Sequence, residues 1–184
     1  MSNTNITEIH KSLIDKCKQN ETKAQFEIYK LYNKAMYNTS LRILNNANEA
    51  EEAMQDAFLK AFQSIDSFRF ESNFGVWLRR ITVNICLDKL RKHKIIFDQI
   101  DEHTNEIEED NDTAELIEES EIMIKKIKTA LSLLPDRERT VLSLYLFENY
   151  SHKDIAKATN IPLATSRTQY FRAKKKLLEQ INKQ

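Results

Sequence analysis

The stretch from Tyr150 to Leu177, YSHKDIAKATNIPLATSRTQYFRAKKKL, decides how this chain is read. It forms two short helices around a tight turn. Ile155, Ala156 and Ala158 suit the inner face of the first helix. Asn160-Ile161-Pro162 ends it, because the residue before a proline is pushed out of the α region and Asn tolerates turn geometry. Thr165 is placed to cap or open the second helix. That helix carries Ser166, Arg167, Gln169, Tyr170, Arg172, Lys174, Lys175 and Lys176. This is the sequence form of a helix-turn-helix, whose second helix lies in the DNA major groove. Thr165, Ser166, Arg167, Gln169 and Tyr170 lie on its first turns, where base contacts are expected. Arg167 suits guanine and Gln169 suits adenine, while Arg172, Lys174 and Lys175 suit phosphates. The competing reading is a solvated basic face on a terminal helix, and the turn that precedes it favours DNA. Ile155, Ala156, Ile161, Phe171 and Leu177 are expected to be core.

Working outward, the composition predicts an all-α protein. In 184 residues Gly occurs once (Gly75) and Pro twice (Pro135, Pro162), among abundant helix formers. No run of eighteen apolar residues is present to span a membrane, and the N-terminus lacks a secretory pattern. Cys17 and Cys86 are isolated, so idle reduced thiols are expected rather than a disulfide or a zinc site. Formal net charge is zero, but the charges are segregated. Residues 151–184 hold eight Lys/Arg against two Asp/Glu, and residues 69–94 hold seven against two. Residues 98–121 hold twelve Asp/Glu and no Lys/Arg. Basic patches that track phosphates supply most non-specific DNA affinity, whereas the acidic block has the composition of a solvated linker.

Apolar spacing predicts helices over 6–20, 22–45, 49–64 and 74–93. The first is marked by Ile6, Ile9, Leu13, Ile14 and Cys17. Asn48 is the expected N-cap of the third, and Gly75 weakens the start of the fourth by about 1 kcal/mol relative to Ala. Residues 66–73 read as a loop. After the linker, helices are expected at 120–133 and 136–147, with Pro135 at the first position of the latter. The expected organisation is two small helical domains, 1–95 and 120–184, joined by an acidic linker over 96–119. The second domain contains the helix-turn-helix.

Two signatures then occur in a fixed order. Asn48 to Phe62 (NEAEEAMQDAFLKAF) and Phe68 to Arg91 (FRFESNFGVWLRRITVNICLDKLR) resemble the second conserved region of bacterial sigma factors. In the extracytoplasmic-function (ECF) subfamily that region is similar to an acidic helix with a Gln-Asp-x-Phe core, a loop, and a Trp-Leu helix. Here those positions are Gln55, Asp56 and Phe58, then Trp77, Leu78, Arg79, Arg80, Asn84, Asp88 and Arg91. Leu133 to Leu177 resembles the fourth region, with Leu134-Pro135 and Arg139 at its start and Asp154-Ile155-Ala156 in the first helix of the motif. Arg172, Ala173, Lys175, Lys176 and Leu177 close it. Ala164, Ser166 and Gln169 stand where the family commonly has Gly, an apolar residue and Arg, so promoter preference does not carry over.

The resemblance implies a factor that binds core RNA polymerase and directs promoter-specific transcription initiation. It implies that Glu51, Glu52, Gln55, Asp56 and Phe58 meet a coiled coil of the large polymerase subunit, a charged rim around an apolar anchor. It implies that the loop over 66–73 pockets a flipped base of the minus-ten element. Phe68, Arg69, Arg79, Arg80, Asn84, Asp88, Arg91 and Lys92 would meet that DNA, the basic ones at phosphates and Asn84 and Asp88 at polar edges. The helix-turn-helix would meet the minus-thirty-five element. Plainer readings stay open beside these: Phe58 and Trp77 as core, Phe68 and Phe70 as packing beneath the loop, Asn84 and Asp88 as a surface pair. Expected partners are core polymerase, promoter DNA and an anti-sigma factor. The linker is expected to suit a basic channel near the polymerase cleft. The chain is expected to be cytoplasmic and, when free, a monomer.

His10, His93, His103 and His152 are scattered, and no nucleophile–base pair, metal spacing or cofactor motif is present, so no enzyme is expected. The alternative is a helix-turn-helix regulator with an unrelated helical sensing domain, which would have no reason to carry Gln55-Asp56 and the helix from Trp77 to Arg91.

Overall fold

A computed structural model describes the backbone of residues 3–97 and 119–183 and the side chains of residues 10–92 and 121–183. The described residues form helices and no strand. The helices are α1 (Asn3–Lys18), α2 (Thr22–Leu44), α3 (Ala47–Gln63), α4 (Phe74–Phe97), α5 (Glu119–Ser132), α6 (Asp136–Leu146), α7 (His152–Thr159) and α8 (Leu163–Lys183). A single 3-10 turn covers Ile65–Ser67. The side chains of Ile6 and Ile9, and the acidic linker, lie outside the described residues. The chain divides into two compact units. One is Met1–Ser40 with Asn48–Cys86, and the other is Leu41–Ala47 with Leu87–Gln184.

With one Gly in the chain, helix ends need another residue that accepts the left-handed region. Asn takes that role at Asn20, Asn45, Asn149 and Asn160, whose φ values lie between 54° and 59°. Among the described residues Phe70, with φ 60°, is the fifth non-glycine position with positive φ, and it belongs to no helix end. Several boundaries differ from expectation by a residue or two. Helix α3 begins at Ala47, so Asn48 lies inside its first turn. Pro135 is the N-cap of α6, one position before the helix.

The core of the first unit draws Ile14 and Cys17 from α1, Ala24, Ile28 and Met36 from α2, and Met54, Phe58 and Ala61 from α3. Ile65 and Phe68 add the loop, and Phe74 and Leu78 add α4. Fully burying one such aliphatic or aromatic side chain contributes roughly 1.5–3 kcal/mol. Aromatic rings lock the loop to α4. Phe68 lies 5.4 Å from Phe74 and 5.3 Å from Trp77, centroid to centroid. Asn73 caps α4 by accepting the Gly75 N–H at 2.8 Å. Gly75 has a further reason to be Gly, because a Cβ there would lie 2.8 Å from Cε1 of Tyr32. Tyr32 is held in place by His10 Nδ1 at 3.2 Å.

In the second unit α8 packs on α5, α6 and α7. Leu131, Leu134, Leu142 and Ala173 form the core there, with Tyr170 and Leu177 packed against it. Buried Arg139 closes the turn between α5 and α6. Its guanidinium donates to the Leu134 carbonyl at 2.7 Å and to the Asp136 carboxylate. Burial pulls the Arg139 pKa down, and Asp136 opposes that shift. Lys176 of α8 reaches Glu138 of α6 at 2.8 Å.

Candidate nucleic-acid and partner surfaces

The helix-turn-helix is built mainly by local rules. Ser151 caps α7 in a reciprocal box: its hydroxyl accepts the Asp154 N–H, and the Asp154 carboxylate accepts the Ser151 N–H at 3.0 Å. Asn160 ends α7 in the left-handed conformation, and the Ile161 N–H returns to the Ala156 carbonyl at 3.1 Å. Helix α8 opens at Leu163 directly after Pro162, so Thr165 falls inside its first turn rather than capping it.

This start rotates the expected face. Ser166 and Ala173, seven residues apart, are fully buried, and they mark the inner face. Ser166 shares a 3.0 Å hydrogen bond with His152 Nδ1, so it ties α7 to α8 and does not reach the surface. The Tyr170 ring lies 4.5 Å from that of Tyr145 and packs inward on the core. Thr165 and Gln169 are half-buried. Arg167, Arg172, Lys174 and Lys175 are exposed, as expected, and they share their face with Thr168 and Phe171. Phe171 is 69% exposed and is therefore not core. The missed signal was periodic: once Ser166 and Ala173 point inward, Arg167, Phe171, Lys174 and Lys175 must point outward. A polar Ser at an inner position concealed that register.

On α3, Glu51, Glu52, Gln55 and Asp56 are exposed. Phe58 is 4% exposed and packs on Tyr29 and Phe62, so it is core rather than the apolar anchor. The exposed apolar residue of that helix is Leu59, at 59%. The α4 helix shows a row at four-residue spacing, Arg80, Asn84 and Asp88, followed by Arg91 and Lys92, all exposed. Asp88 pairs with Arg91 rather than with Asn84. Arg79 and Trp77 are half-buried, and Trp77 packs on the core. In the loop, Arg69 is exposed but Phe68 is 3% exposed. Phe68 therefore supports the loop from beneath, and Phe70 is the aromatic residue that reaches solvent.

Cys17 and Cys86 are buried free thiols. Burial first, and Glu21 second, push the Cys17 pKa up to about 11. No group of three potential metal ligands occurs among the described residues. No described helix is long and apolar enough to cross a membrane.

Among the described residues, helices alone, with a basic helix-turn-helix in one half and an acidic and a basic helix in the other, are the form of a helical DNA-binding protein. Comparison with known proteins makes the class specific. Residues 28–95 match the family model "Sigma-70 region 2", and residues 124–177 match "Sigma-70, region 4". The chain is 30% identical to ECF RNA polymerase sigma factor SigW of Bacillus subtilis, over 93% of this chain and 96% of that one. It is 26% identical to the RNA polymerase sigma-H factor of Pseudomonas aeruginosa, over 88% of each chain. Its fold is similar to that of sigma factor RpoE from Bartonella quintana, solved in complex with the anti-sigma factor NepR. That likeness has a TM-score of 0.57 at 23% identity and covers 85% of this chain and 95% of the other. The chain belongs to the ECF family of sigma-70-type RNA polymerase sigma factors, and it directs transcription initiation. The reading as a regulator with an unrelated sensing domain is set aside, because the N-terminal half matches region 2.

Proposed function

We propose the following division of labour within this sigma factor. Residues 1–95 hold core polymerase and capture the minus-ten strand, residues 96–119 link, and residues 120–184 grip the minus-thirty-five duplex. The polymerase-binding face is the outward side of α3, with Glu51, Glu52, Gln55 and Asp56 as rim and Leu59 as apolar anchor. The minus-ten face is Arg69 and Phe70 of the loop with Arg80, Asn84, Arg91 and Lys92 of α4. When a phosphate takes Arg91, both its ion pair with Asp88 and its hydrogen bond to the Ala158 carbonyl open. An exposed pair of this kind is worth about 1 kcal/mol at most, so it is readily exchanged. The duplex-reading face is Arg167, Thr168 and Phe171, flanked by Arg172, Lys174 and Lys175 toward phosphates.

The observation that carries this reading is the register of α8. Its inner positions are spent on the core, and its outer face is basic with one exposed aromatic ring. The protein acts by binding rather than catalysis, in the cytoplasm, as a monomer until polymerase or an anti-sigma partner engages it. A relative of this fold was solved with such a partner.

The test is reconstitution. Core RNA polymerase with the purified chain should start transcripts at discrete sites on genomic fragments, and sequencing their 5′ ends locates the promoter. The Arg167→Ala variant should lose about tenfold or more in promoter affinity, since one good base contact is worth about 1–3 kcal/mol. It should still bind core polymerase. Gln55→Ala with Leu59→Ala should lose polymerase binding first. Unchanged polymerase binding in that double variant would overturn the assignment of α3.

A further inference from the structure

Phe70 departs from the pattern of the other left-handed positions among the described residues, all of which are Asn. Its left-handed backbone carries a steric cost that Asn largely avoids, and the residue is 40% exposed. Such a residue persists only where its surroundings over-determine it. Buried Phe68 lies beneath, 4.9 Å from the Phe70 ring centroid. The rest of the support comes from α1. Lys18 Nζ donates to the Phe68 carbonyl at 3.0 Å and lies 5.1 Å from the Phe70 ring centre. Lys11 Nζ, two turns earlier on α1, lies 5.9 Å from the same ring. Helix α1 precedes the span matched by the region 2 model, which begins at residue 28. The loop thus presents an exposed aromatic ring with two ammonium groups over it, joining the aromatic and cationic features that single-strand sites combine.

We propose that α1 is part of the strand-capture site. Phe70 stacks an unstacked base of the opened strand, and Lys11 and Lys18 engage the phosphates beside that base. Lys18 also positions the loop through the Phe68 carbonyl. An ammonium 5.1–5.9 Å over a ring centre still has N–H groups free for a phosphate, and an incoming base takes the part of the ring that the two Lys leave uncovered. The proposal rests on the reading of the 66–73 loop as the strand-capturing element.

The experiment uses the polymerase holoenzyme and a bubble version of its promoter, unpaired across the minus-ten element. Lys11→Gln with Lys18→Gln should weaken bubble binding about tenfold. It should also flatten the dependence of log affinity on log salt by about 1.4, two phosphates at about 0.7 each. Lys11→Gln alone makes no loop hydrogen bond to lose, so it should flatten the slope by about 0.7 without disturbing the fold. Lys18→Arg should retain the parental slope. A parental slope in both Gln variants would overturn the proposal, because a purely supporting role changes affinity without removing a phosphate contact. Phe70→Ala and Arg80→Gln separate the two layers. If these weaken bubble binding while the Lys variants keep the parental slope, only the assignment of α1 falls. If these too leave binding unchanged, the strand-capture reading falls and the proposal with it.

Discussion

The turn between α7 and α8 and the loop between α3 and α4 both place side chains where nucleic acid is expected, by opposite means. The first is held by its own neighbours in sequence: the Ser151–Asp154 box, Asn160 in the left-handed region, then Pro162. The second has local bonds at its two ends, in the 3-10 turn over Ile65–Ser67 and the Asn73 cap, but not at its tip. Its Phe70 sits in a conformation that favours Asn or Gly, and it is held by Phe68 and by α1, some fifty residues earlier. A reader of rigid duplex needs a fixed helix, and short-range caps suffice for that. A pocket for an unstacked base needs a shaped aromatic surface, which only tertiary packing assembles.

The largest expected effect breaks the platform beneath the first turn. Arg139→Leu strands the buried Leu134 carbonyl and should cost about 2–3 kcal/mol in urea unfolding, although Arg139 touches no DNA-facing residue. Next, Asn160→Val should cost about 1–2 kcal/mol by forcing a branched side chain into the left-handed region, while Asn160→Gly should be nearly neutral. If both substitutions cost the same, the turn is not governed by local backbone preference. On the other side of the comparison, Gly75→Ala should destabilise by about 1 kcal/mol despite its better helix propensity, because its methyl meets the Tyr32 ring. A stabilised Gly75→Ala protein would mean that Tyr32 yields.

Phe70→Asn sharpens the contrast further. Relief of left-handed strain should offset the lost ring contacts, leaving the unfolding midpoint within about 0.5 kcal/mol of the parent. Bubble binding should nonetheless fall, which separates the fold's needs from the site's. The last expected effect is confined to alkaline pH and concerns Cys17. Its folded pKa is raised, so burial of the neutral thiol stabilises fully below pH 9 and the gain fades as pH rises toward 11. Cys17→Ser should remove that alkaline component from the pH dependence of stability.

The helices and the helix-turn-helix are legible because each is written in short-range terms: apolar period and breakers. The faces were less legible. A polar side chain in the motif suggests an outward face, yet Ser166 is buried with His152 as its inner partner, and half-buried Tyr170 packs one side on Tyr145. Reading Phe58 and Phe68 as contact residues failed because an aromatic side chain in a motif looks alike whether it anchors a partner or fills the core. Only the packing distinguished Phe58 from Leu59 and Phe68 from Phe70.

By itself, then, the sequence determined which segments coil, where α7 stops, and that two basic surfaces flank an acidic stretch. Those properties depend on residues within a turn or two of each other. Tertiary structure decided which side of each helix meets solvent and which aromatic ring tops the 66–73 loop. Burial depends on residues distant in the chain, and Lys18, Tyr32 and His152 act only once folding has brought them to Phe68, Gly75 and Ser166.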